Sequence, residues 1–103
     1  MLETLTFTTF AQQLNTPFQV ERAGAVPLAL ELIEAREARS APGYEAFSIV
    51  FRGPGDVFLP QAIYGMQHEA IGAFELFVVP IRQDQHGLYY EAIFNRPRTG
   101  GQG

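Results

Sequence analysis

Residues 59–95 constrain the fold more than any other part of the chain. They read LPQAIYGMQHEAIGAFELFVVPIRQDQHGLYYEAIFN, three apolar runs at 62–68, 73–82 and 88–95 separated by two short breaks. Each run has the length and composition of a strand, and each break ends in glycine, at Gly72 and Gly87. Glycine serves a tight connection where φ must be positive, so the pattern predicts an antiparallel meander. The middle run has a further property. Phe74, Leu76 and Val78 alternate with Phe77, Val79 and Ile81, and successive strand residues face opposite sides. Both faces of this strand are therefore apolar, which a sheet with one solvated face does not favour. Barrel closure is expected to bury one set and leave the other for a second copy or a partner. Pro80 has no N–H to give a ladder, so an edge or a bulge is expected there.

The rest of the chain supplies elements to close around this meander. Residues 5–14 (LTFTTFAQQL) place Phe7, Phe10, Ala11 and Leu14 on one helical face, with Thr6 at the N-cap position. A helix this short gains its stability from docking, so it is expected to cover one end of a sheet. Residues 17–22 read as a strand through Phe18 and Val20, and residues 44–52 as another through Phe47, Ile49 and Phe51. Residues 28–39 admit two readings. The composition of LALELIEAREAR suits a helix, whereas the alternation of Leu28, Leu30 and Leu32 behind a short glycine turn suits a hairpin partner for 17–22. The strand is the expectation, and the helix stays open as the alternative. The predicted class is mainly β: a six-stranded antiparallel barrel or curled sheet with one short N-terminal helix. One domain over residues 1–95 and a flexible tail over 96–103 are expected.

Composition narrows the function classes. The chain has 103 residues, no cysteine and a net charge of −4, with seven arginines and no lysine. Without cysteine there is neither a disulfide nor a thiolate metal site. An acidic chain lacking a basic block suits nucleic acid poorly, because phosphate binding needs clustered positive charge. No run reaches the roughly 20 apolar residues of a spanning helix, and the first residues show no secretory signal. A cytoplasmic location, no membrane insertion and no nucleic acid are the expectations.

No motif in the sequence carries catalysis or a cofactor, and none of either is expected; whether the chain is an enzyme is left open, with a non-catalytic role favoured. His68 and His86 are the two histidines. His68 beside Glu69 offers a base next to a carboxylate, but neighbours on a strand face apart. Metal binding needs three or four converging ligands, and neither HxH nor HxxxH spacing occurs. Arg52 ends an apolar strand before the rigid Gly53-Pro54 turn, where pairing with a carboxylate is the plainer reading and ligand binding the alternative. Glu45 and Asp56 are a possible carboxylate pair across the 53–60 loop. Tyr64, Tyr89 and Tyr90 are candidates for an aromatic patch. The candidate interface or pocket residues are Arg52, Tyr64, His68, Phe77, Val79 and Ile81.

Three segments, FSIVFRGP (47–54), LPQAIYGMQHEAIGAFELFVVPI (59–81) and YYEAIFN (89–95), together with the opening LETLTFTTFAQQLNTPFQV, resemble a family of small bacterial proteins of about a hundred residues classed as a domain of unknown function. The resemblance spans nearly the whole chain. It implies a genomic setting near phage-tail-collar-like proteins, of the kind once called microcystin-dependent, and brings no activity or catalytic residue. Taken together, the expectation is an accessory or structural interaction module, with a protein partner or homo-oligomer and a setting in a tail-like or injection apparatus. The alternative is a small-ligand binder or enzyme with a pocket near Arg52 and His68.

Overall fold

The computed structural model describes residues 5–97. A five-residue helix, α1 (Phe7–Ala11), precedes six strands: β1 (Pro17–Val20), β2 (Leu28–Glu37), β3 (Tyr44–Gly53), β4 (Ala62–His68), β5 (Gly72–Asp84) and β6 (Gly87–Pro97). All pairings are antiparallel, and the ring β1-β2-β3-β6-β5-β4 closes on itself. The 28–39 segment thus resolves as strand over residues 28–37: Leu28, Leu30 and Leu32 are buried, and Phe18 and Val20 opposite them on β1 are buried too. Helix propensity loses here because three leucines at period two can enter one core only from a strand.

The ring is built around two corner strands. Residues 28–31 of β2 pair with β1, and residues 31–37 pair with β3. In the same way, residues 72–78 of β5 pair with β4 and residues 79–84 with β6. Each strand is bulged at or next to the change of partner, between Leu32 and Glu34 in β2 and between Pro80 and Arg82 in β5. A bulge bends and twists a strand, letting it leave one sheet and enter another at a steep angle. Pro80 sits at such a bend, as its missing N–H requires.

Both mouths of the ring are filled. At one, the ring of Phe10 packs against Phe18, Phe47, Phe74 and Phe94 at centroid distances of 5.7–6.3 Å and is fully buried. Thr6 caps the helix by accepting the Thr9 N–H. The helix is shorter than the apolar spacing suggests. Asn15 turns left-handed at φ 67°, and Leu14 is left exposed. At the other mouth the buried Tyr90 hydroxyl accepts the Leu59 N–H (3.1 Å) and donates to the Val57 carbonyl (3.3 Å), drawing Leu59 into the core.

β6 runs two residues beyond the expected end of the domain at Asn95. Arg96 donates to the Leu5 carbonyl and reaches Glu45 Oε1 at 3.4 Å, tying the last strand to the segment before α1. The remainder of the expected tail, 98–103, lies outside the described residues.

Candidate functional site

Arg52 and His68 do not share a site. In ring order β3 and β4 are separated by β2 and β1. Arg52 faces outward from β3 and donates to Glu31 Oε1 at 2.6 Å across the β2–β3 register. This is the carboxylate pairing that its position suggests, a half-exposed ion pair of modest worth.

His68 is 7% exposed, at the inner end of β4. Its Nδ1 accepts the N–H groups of Ala70 (2.9 Å) and Ile71 (3.3 Å), closing the β4–β5 turn. Two donors at Nδ1 place the proton on Nε2, which donates to Thr16 Oγ1 at 2.8 Å; that hydroxyl in turn donates to the Gln13 carbonyl at 2.6 Å. The imidazole also packs on Phe18, centroids 4.2 Å apart. Burial pushes its pKa down, while Glu69 pulls the other way. Both ring nitrogens are committed, so His68 holds a turn in its neutral form and has no nitrogen free for a substrate proton.

A hollow of about 420 Å³ lies outside this histidine, lined by Gln13, Thr16, Gln19, Gln67 and Glu69 among others, with Arg52 absent from its walls. Gln67 donates to Glu21 at 3.1 Å. Among the described residues, no group of three His, Asp or Glu is disposed to hold a metal ion.

The three tyrosines do not form a patch. Tyr90 is in the core; Tyr89 lies on the outer side beneath the Arg82 guanidinium (3.8 Å) and donates to Asp84. Tyr64 donates to the Pro60 carbonyl at 2.6 Å, with its pKa raised first by burial and then by Tyr90. The Asp84 carboxyl is held below its usual range chiefly by the His86 N–H, which donates to it at 2.8 Å. Glu45 and Asp56 lie toward opposite ends of β3, so they are no carboxylate pair.

The outer face of β5 is the feature that remains. Phe77 is 47% exposed, Ile81 is 42% exposed and Val79 is partly covered. Opposite Phe77 in the β4–β5 register stands Ile63, 65% exposed. Ile93 on β6, 73% exposed, is a further outward apolar residue. Sequence reasoning singled out neither Ile63 nor Ile93 as an outward residue. The signal was period two: Tyr90, Ala92 and Phe94 point inward, so Ile93 must point out.

The model of a family described as a domain of unknown function (DUF6916) matches residues 5–94. The chain belongs to this family. The match takes in all of the barrel except the last three residues of β6, so the fold described above is the family's domain rather than an appendage to it. No curated protein and no solved structure shows a significant match to the chain.

Proposed function

We propose that the chain is a non-catalytic accessory or structural module that works through protein contacts on the outer face of β4 and β5. The observation that carries this reading is the facing pair Ile63 and Phe77, both well exposed, continued along β5 by Val79 and Ile81. Contiguous exposed apolar side chains rimmed by polar ones mark interaction surfaces. The commitments of His68 and Arg52 to structural partners support the same reading. The resemblance to proteins encoded beside phage-tail-collar-like proteins supports a setting in a tail-like or injection apparatus, assembled from the cytoplasm.

The test is sedimentation at micromolar concentration, alone and with candidate tail components, for the wild type and Phe77→Ser. Association that the substitution weakens at unchanged thermal stability supports the reading. A wild type that stays monomeric with every candidate, and a Phe77→Ser chain equal to it in solubility and stability, contradicts it. The hollow beside His68 favours a second reading, small-ligand binding. Saturable binding of a small molecule that Gln67→Ala abolishes would establish it.

A further inference from the structure

The change of partner along β5 leaves an opening in the barrel wall. Among the described residues, 72–78 of β5 pair only with β4 on one side of it, and 92–97 of β6 pair only with β3 on the other. Two main-chain bonds fix which backbone groups point into this opening. The Glu21 N–H donates to the Gly65 carbonyl, so odd-numbered residues of β4 aim their backbone groups at β1. Antiparallel neighbours alternate, so the even residues of β4 bond β5, and Ala73, Glu75 and Phe77 aim theirs away from β4 into the opening. On the other side, the Ala38 N–H donates to the Ala46 carbonyl. Even residues of β3 thus face β2, and its odd residues bond the even residues of β6. The N–H and C=O of Ile93 and Asn95 therefore point into the opening as well.

This edge has a floor and a rim. Phe74 and Phe94, both partly buried, lie beneath it against Phe10. Phe77 and Ile93 stand exposed on its outer side. Glu75 and Glu91 alternate with them on the same outer faces, and neither carboxylate has a hydrogen-bond or ion-pair partner among the described residues. A row of backbone donors and acceptors at strand spacing is matched by another strand. Two unpaired carboxylates beside it are matched by positive charge. A second copy offering the same edge would bring Glu75 and Glu91 against their like, on a chain of net charge −4.

We infer that this opening is a strand-acceptor site: an extended, apolar and basic segment of a partner protein bonds to Ala73, Glu75 and Phe77 as an added strand. The inference rests on the interaction reading above and names its mode. The probes are two amidated decapeptides, one alternating valine with lysine and threonine, the other with glutamate replacing lysine. The basic peptide is expected to bind about tenfold or more tightly than the acidic one and to slow amide exchange at Ala73, Glu75 and Phe77 by a similar factor. Glu75→Pro, which removes an N–H aimed into the opening and none from the β4 ladder, is expected to abolish binding. Glu75→Lys, which needs no backbone change, is expected to erase or invert the charge preference. Failure of both peptides to bind, equal binding of both, or slowed exchange that follows protein concentration without peptide would overturn the inference. Should Phe77→Ser still weaken association when the peptides fail, the contact face stands and strand addition alone falls.

Discussion

The two corner strands solve the same geometric problem and end differently. Both β2 and β5 change partner midway and bulge in doing so. At the β2 corner the chain itself closes the wall. The Asn15 N–H donates to the Leu32 carbonyl (2.6 Å), and the Leu32 N–H donates to the Thr16 carbonyl (3.2 Å), so the exit from α1 acts as a short replacement strand. The β5 corner carries Pro80, which has no N–H to offer, and the wall beside residues 72–78 is filled from inside by Phe10 while its backbone edge has no paired strand among the described residues. A fold this small can close every edge, as β2 demonstrates. The contrast sets β5 apart as the strand where, among the described residues, exposed apolar side chains and an unpaired backbone edge coincide.

The largest expected effect strikes the β5–β6 pairing beyond the β5 corner, at the hairpin end where β6 begins beside β3. Gly87 begins β6 at φ 143°, and a Cβ there would lie 2.1 Å from the Gly53 carbonyl oxygen, a backbone atom that cannot swing aside. Gly87→Ala is expected to cost about 3 kcal/mol or more, read as a fall in the urea midpoint; a change within experimental error would mean that the hairpin tolerates rebuilding. A smaller loss is expected at the β2 corner from Thr16→Val. It leaves the buried His68 Nε2–H without an acceptor at a cost of about 1–3 kcal/mol, and unchanged stability would show that the imidazole finds another.

The smallest effect concerns acid. The folded pKa of His68 is depressed by burial, so the unfolded chain takes up the proton first. The stability this confers is complete above the unfolded value of about 6.5 and is lost as pH falls from there through the folded value. Denaturation midpoints measured across that range are expected to decline, and His68→Gln to flatten the decline. An unaltered slope would assign it to other groups.

Much of the barrel was legible because period two is written plainly in Phe18-x-Val20, in Leu28-x-Leu30-x-Leu32 and in Phe47-x-Ile49-x-Phe51. Pro80 announced its bulge; the bulge after Leu32 had no such marker, since no residue there is barred from a ladder. The helix was overextended because Leu14 fits the apolar spacing, while the bonding of Asn15 and Thr16 to β2 that ends it is a long-range fact. The site divides in the same way. Two apolar faces on one strand exposed Phe77 and Ile81 to sequence reasoning. The pairing of Ile63 with Phe77 depends on register, and the commitment of both His68 nitrogens depends on a turn, so neither could be read from spacing.

The central contrast is tested most directly by residue-resolved amide hydrogen exchange on the free, dilute protein. Slow exchange is expected at Leu32, bonded to Thr16 across the β2 corner, and at Phe74, Leu76 and Phe94, whose N–H groups face paired strands. Fast exchange is expected at the intervening Glu75, Phe77, Ile93 and Asn95, giving an odd–even alternation confined to the β5 side of the wall. Uniformly slow exchange through residues 73–77 and 92–95 would contradict the open edge, and with it the difference between the two corners.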